Sequence, residues 1–291
     1  MRITQFGEFE LIDLIRKNLR VSPKVICGIG DDTAVLPYTK DRYLLFTTDM
    51  MAQGVHFTAR MKSEAVGYKA LACNISDIAA MGGVPTFAVV SIGLPKSTKV
   101  SSVEGIYRGM QDLAKDFGVS IVGGDTIKSD KVVINVALLG EVEKNYLVTR
   151  NGAKPGDRIF VSGPLGGSLK DGRHLMFVPR VAQARFLVRN FKPSAMMDIS
   201  DGLAGDLNHI LKASKVGAKL DEKSIPRYKG STLSQALTDG EDFELLFTLS
   251  EAKAGKLLNW QEKTKQWFFY PIGLITANCK ELILPKGFTH F

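Results

Sequence analysis

Cysteine and histidine are scarce, with three and four in 291 residues. Cys27, Cys73 and Cys279 are too scattered for a disulfide framework, and no CxxC pair offers a zinc site. Cys27 and Cys73 lie among apolar residues and read as small core side chains. His56, His174, His209 and His290 have no metal-ligand spacing, and neither HExxH nor GxSxG occurs. No GxxxxGK[ST] is present, which excludes a P-loop. Gly28-Ile-Gly30 lacks the third glycine of a dinucleotide fingerprint and runs into Asp31-Asp32, which would repel a pyrophosphate. Asp116-Phe117-Gly118 spells the protein-kinase triplet without a catalytic loop to accompany it. Long apolar runs are missing as well. The uncharged stretch Ile78–Pro95 is broken by Gly82-Gly83 and Pro85, so no membrane span is expected. Met1–Glu8 has no apolar core of an export signal, and the expected location is the cytoplasm.

The 45% hydrophobic and 23% charged content is that of an ordinary globular protein. Its +8 charge is spread along the chain without a basic run or interleaved aromatics. Attraction for phosphate-bearing small molecules accounts for that charge as well as nucleic acid does. Hydrophobic periodicity predicts helices over Glu8–Arg20 (apolar side Phe9, Leu11, Ile12, Leu14 and Ile15), Ser63–Met81, Val103–Phe117 with a stop at Gly118, Val181–Phe191 and Asp201–Ser214. Strands are expected at Arg42–Thr48, Phe87–Ile92, Val119–Val122, Val132–Val142, Arg158–Ser162, Ala195–Ile199 and Phe243–Leu249. Turn residues around Asn145–Gly156 mark a boundary. The expectation is an α+β protein of two domains, residues 1–146 and 147–291.

Aspartates stand at the ends of apolar segments. Asp31 and Asp32 follow Val25–Gly30, Asp49 ends a strand, and Asp77 sits among small and apolar helix residues. Asp125 follows Val119–Gly124, and Asp198 and Asp201 flank a strand-to-helix turn. Each alone suits a cap or a turn. Seven together beside buried segments need compensation, and converging carboxylates need cations among them. Hard oxygen ligands without His or Cys select Mg²⁺ or Mn²⁺, and Thr47 and Thr48 add hydroxyls beside Asp49. The residues therefore point to a multi-magnesium site for a polyphosphate, with phosphoryl transfer from ATP as its chemistry.

The same segments resemble the thiamine-monophosphate kinase family. They are Gly28-Ile-Gly-Asp-Asp-Thr-Ala-Val-Leu36, Thr47-Thr-Asp-Met-Met-Ala-Gln-Gly-Val-His-Phe57 and Lys69-Ala-Leu-Ala-Cys-Asn-Ile-Ser-Asp-Ile-Ala-Ala-Met-Gly82, then Gly123-Gly-Asp-Thr126, Thr149–Asp157, Met197-Asp-Ile-Ser-Asp-Gly-Leu203 and Asp239–Phe247. The resemblance covers essentially the whole chain. It implies an aminoimidazole ribonucleotide synthase-like fold, with N-domain strands pairing across a homodimer interface. It also implies ATP-dependent phosphorylation of thiamine monophosphate by direct in-line transfer. Carried over by position, Asp32, Thr47, Thr48, Asp49, Asp77, Asp125, Asp198 and Asp201 look like magnesium ligands, with Asp49, Asp77, Asp125 and Arg150 central to catalysis. Tyr107, Gly124, Asp125, Arg150 and Ser200 correspond to ATP contacts, and His56, Glu241 and Phe288 to substrate contacts. Asp239 departs from the family's usual glycine, Phe288 replaces a Trp or Tyr, and the segment from Gly167 to Arg180 is shorter than in a typical member.

Alternatives stay open at this point. Aminoimidazole ribonucleotide synthase shares the chemistry, whereas selenophosphate synthetase needs a reactive Cys that Met1–Gly7 lacks. A non-catalytic nucleotide- or RNA-binding protein is the alternative of another class.

Overall fold

The computed structural model describes residues 7–279 and Gly287. Two five-stranded sheets follow one another along the chain. The first is built from β1 (Ala34–Pro37), β2 (Arg42–Ala52), β3 (Val84–Leu94), β4 (Ser120–Lys128) and β5 (Val133–Glu143) in the order β1-β2-β5-β3-β4. Only the β3–β4 pair is parallel, because α3 (Val100–Phe117) carries the chain over between them. Helix α2 (Ser63–Ala80) packs with α3 on one face of this sheet, around Leu71, Ile75, Ile78, Met110, Val90 and Val136. Gly118 ends α3 in the left-handed conformation (φ 69°), as its sequence position suggests.

The second sheet is fully antiparallel. It comprises β6 (Arg158–Val161), β7 (Ala195–Asp198), β8 (Gly217–Leu220), β9 (Leu245–Leu249) and β10 (Tyr270–Thr276) in the order β7-β9-β6-β10-β8. Its core divides in two. Leu203, Leu207 and Ile210 of α6 (Leu203–Ser214) lie in one cluster, and Leu187 and Val188 of α5 (Val181–Asn190) join Leu257 of α8 (Glu251–Thr264) in the other. Strands β8 and β10 and helix α8 were not expected from periodicity. Gly217-Ala-Lys-Leu220 is too short to show a period, and α8 buries only Ala254 and Leu257.

Strand β5 of the first sheet alternates strictly, and β2 does so from Leu45 to Met51. On β2, Leu45, Thr47 and Met51 face the helices, while Phe46, Thr48 and Met50 face outward. The outward face is apolar, with Phe46, Met50, Phe87 and Val89 all at least 42% exposed. Helix α1 (Glu8–Asn18) forms where periodicity places it, but Ile12, Leu14 and Ile15 of its expected apolar side remain exposed. Among the described residues, no helix is long and apolar enough to cross a membrane.

Candidate active site

Helix α2 is the spine of the site. Lys69, Cys73 and Asp77 recur every fourth residue, so they form one stripe along the helix, and all three line a cavity of about 260 Å³. Asp49 and Met51 of β2 line it from the sheet, and Val55 and His56 from the turn that follows. Ser200, Asp201, Asp239, Glu241 and Phe243 close it from the second half of the chain. The cavity thus lies where the two halves meet.

At the Asp77 end, Asp32, Asp77 and Asp198 each present a carboxylate oxygen within 4.8 Å of the other two. Three elements supply them: the turn before β1, the C-terminal half of α2 and the end of β7. The hydroxyl of Thr47 donates to Asp77 Oδ2 at 2.6 Å, and that of Ser76 donates to Asp198 Oδ2. Arg150 Nη2 donates to Asp32 Oδ1 at 2.6 Å, while the Arg150 backbone N–H donates to the Asp31 carboxylate. Asp32 Oδ2 is buried and receives no hydrogen bond. The Oδ1 of Asn74, itself on α2, accepts the backbone N–H of Asp49 at 3.1 Å and ties the strand to the helix.

Burial pushes these carboxyls upward in pKa. Desolvation and then the charge of Glu241 take Asp49 to about 6. Desolvation and then Asp32 take Asp198 to about 8, while Asp77 rises well above its ordinary value by burial and then by Asp49. A set of converging, oxygen-only donors with one orphaned buried carboxylate oxygen fits a hard divalent cation. The unfolded chain releases the Asp49 and Asp198 protons near pH 3.8, whereas the folded chain keeps them until about 6 and 8. The folded state therefore binds more protons throughout this interval, and its stability falls as pH rises through it. EDTA-treated protein should accordingly melt at a lower temperature at pH 8 than at pH 6. The stabilisation on adding Mg²⁺ should be larger at pH 8. Melting temperatures that rise from pH 6 to pH 8 in EDTA would contradict the raised carboxyl values.

Not all the expected ligands lie together. Thr48 points to the opposite face from Thr47, because neighbouring strand residues alternate, and its hydroxyl donates to the Val136 carbonyl. Asp125 lies on β4 opposite Ser91, three strand spacings (about 14 Å) across the sheet from β2. It lines a separate cavity of about 190 Å³ with Met50, Ser91 and Asn135. Tyr107 sits on α3 beside a groove lined by Glu104, Arg108, Gln111 and Ile121. Gly124 has a structural reason for being glycine, since a Cβ there would stand 1.8 Å from the Val90 carbonyl oxygen. His56 Nδ1 accepts the Ala52 backbone N–H at 3.1 Å, which leaves Nε2 to carry the proton. Asp201 donates its backbone N–H to Asp206 Oδ2, and its neighbour Ser200 accepts the Glu241 N–H. Phe288 lies outside the described residues.

Two residues of the site, Lys69 and Asp206, were missed in the sequence. Lys69 is buried, and its Nζ lies 2.5 Å from Glu241 Oε2. Asp206 is buried under the Asp198–Asp201 turn, and burial raises its carboxyl well above the ordinary range. Asp31 is held at about 7 by burial and by Asp32. The signal for Lys69 was its helical spacing of four and eight from Cys73 and Asp77. The loop that carries Glu241 is strained, since Glu241 (φ 61°) and Phe243 (φ 50°) both occupy the left-handed region. Phe243 is pinned by stacking on Phe177 at 4.0 Å between ring centres.

Two mixed α/β halves closing on a carboxylate-lined cavity define the class, and models of AIR synthase related proteins agree. The N-terminal domain model matches residues 30–142 and the C-terminal domain model residues 154–283. The thiamine-monophosphate kinase of Aquifex aeolicus is 38% identical, over all of both chains. That of Bacillus subtilis is 35% identical, over 98% of this chain and 99% of its own. A solved structure described as AaThiL complexed with AMPPCP and TMP superposes with a TM-score of 0.88 at 35% identity, covering 100% of this chain and 99% of that one. The chain belongs to the thiamine-monophosphate kinase family.

Proposed function

We propose that this chain transfers the γ-phosphoryl group of ATP to the phosphate of thiamine monophosphate, in line and without a covalent enzyme intermediate. The observation that carries the reading is the convergence of Asp32, Asp77 and Asp198, backed by Thr47, with Asp77 lining a cavity reached from both halves. Several Mg²⁺ ions held by these residues, with Asp49 and Asp201, would neutralise the two phosphate groups that must approach each other.

The remaining steps belong to the chain. Arg150 keeps one oxygen of Asp32 engaged and leaves the other facing the cluster. Ser200 and Asp201 close over the cavity from the second half, and His56, Glu241 and Phe288 hold the organic part of the acceptor. Tyr107, Gly124 and Asp125 are assigned to the nucleotide. Thr48 and Asp125 remain metal ligands in this reading on the outer face of the first sheet, apart from the three-aspartate cluster. The working division is 1–146 for nucleotide and metal and 147–291 for completing the site, and the setting is the cytoplasm.

The acceptor must itself carry an anion. Free thiamine offers a neutral hydroxyl that the metal cluster would neither hold nor orient. With ATP and Mg²⁺, thiamine monophosphate should be phosphorylated at least about 10³-fold more efficiently than thiamine, measured as kcat/KM by product analysis. Comparable turnover of thiamine would overturn the assignment.

A homodimer is proposed on separate grounds. Phe46, Met50, Phe87 and Val89 form an exposed apolar sheet face, and β4 is an edge strand with Val122 and Ile127 each 61% exposed. A symmetric partner would cover that hazard. Light scattering at micromolar concentration should give twice the chain mass, and a monomer mass would contradict it.

A further inference from the structure

We infer that Lys69 is a positioning residue for acceptor selection, acting through Glu241; this rests on the proposed reaction. Lys69 and Asp77 lie eight residues apart on α2, about 12 Å along the cavity wall. The cavity therefore has two ends. Asp77, with Asp32 and Asp198 clustered against it, lies at one, and the Lys69–Glu241 pair at the other. If the acceptor phosphate sits at the cluster, the organic end of the acceptor reaches Glu241.

The pair crosses from the first half of the chain to the second, from α2 to the strained loop 240–243. Lys69 is 1% exposed, so its ammonium is held in the wall and cannot swing out to solvent. Burying an ammonium and a carboxylate together is unfavourable unless each holds the other in charged form. Glu241 Oε2 is the oxygen on Lys69 and is itself buried. The contact with Lys69 is an ion pair without hydrogen-bond geometry, and among the described residues the Glu241 side chain makes no hydrogen bond, which leaves Oε1 for a ligand. Lys69 thus fixes the position of the Glu241 carboxylate and leaves Oε1 as an acceptor. The site then selects an acceptor whose far end presents N–H donors, as an aminopyrimidine does, and rejects one that presents a carbonyl or a carboxylate. A site built around one unpaired acceptor oxygen discriminates strongly against an analogue that lacks the donor.

The test uses the full chain. Equilibrium binding and steady-state kinetics are measured with thiamine monophosphate and with its analogue lacking the exocyclic amino group. The parent should prefer the amino compound at least tenfold. A parent that neither binds nor phosphorylates thiamine monophosphate overturns the proposed reaction itself. Given an active parent, Lys69→Met should raise Kd and KM for thiamine monophosphate at least tenfold, change kcat less than threefold, and lose most of the preference for the amino compound. Lys69→Met in a Glu241→Gln background should then add less than twofold to Kd, because both changes remove one device. Preserved preference in Lys69→Met, or additive losses in the double variant, overturns the inference. Should Lys69→Met fail to fold, Lys69→Gln takes its place: lost preference supports the inference, and preserved preference overturns it.

Discussion

Asp77→Asn should lower kcat by about 10³-fold or more while making the metal-free protein more stable. Asp77 is the aspartate at which the others converge. Its carboxyl is pushed up by burial, then by Asp49, Asp198 and Asp32. An amide removes one charge from that cluster and keeps an oxygen that can accept the Thr47 hydroxyl, now made at 2.6 Å to Oδ2. The repulsion relieved is of the order of 1–2 kcal/mol, so the melting temperature in EDTA should rise by several degrees at pH 8. The same variant should gain less than the parent from added Mg²⁺ and nucleotide, since it has lost a ligand and a charge. Turnover near the parental level would remove Asp77 from the metal site. A melting temperature below the parent in EDTA would mean that Asp77 is held for structure rather than for a cation.

Arg150→Met should have the opposite effect on stability. The Arg150 guanidinium is the partner of Asp32, whose side chain is 1% exposed, at 2.6 Å. Removing it leaves a buried carboxylate facing Asp77 and Asp198 with no cation, a loss of about 3–5 kcal/mol by the usual cost of breaking a buried pair. That corresponds to a melting temperature about 10 °C lower at pH 8. At pH 5.5 the deficit should shrink, because burial raises the Asp32 pKa and the carboxyl can take up a proton instead. Arg150→Met combined with Asp32→Asn should recover most of the lost stability, although neither variant is expected to turn over. A deficit under about 2 °C at pH 8, or one that grows on acidification, would refute this account of the pair.

The sequence by itself determined where carboxylates need compensation. Asp32, Asp77 and Asp198 each follow or interrupt an apolar segment, and a carboxylate there must be compensated whatever the fold. The longer elements were equally legible, α3 and β5 above all, because each buries one face and so writes its period into the residues. Elements with little buried face, such as α8, or with four residues, such as β8, left no period to read. Family motifs also joined Arg150 to the aspartates, and the structure gives the physical link in its ion pair with Asp32.

Only the tertiary structure decided which of these residues meet. Thr47 and Thr48 are neighbours in sequence but face opposite sides of β2, and Asp125 stands three strands away from Asp49 although both end apolar runs. Lys69 was not singled out in the sequence, because its partner Glu241 sits on a loop in the other half of the chain. The reason is the same in each case. Local sequence sets period and burial through contacts a few residues apart. Which carboxylates share a cavity depends on strand order and on how the two halves pack together, and those are fixed by contacts distant along the chain.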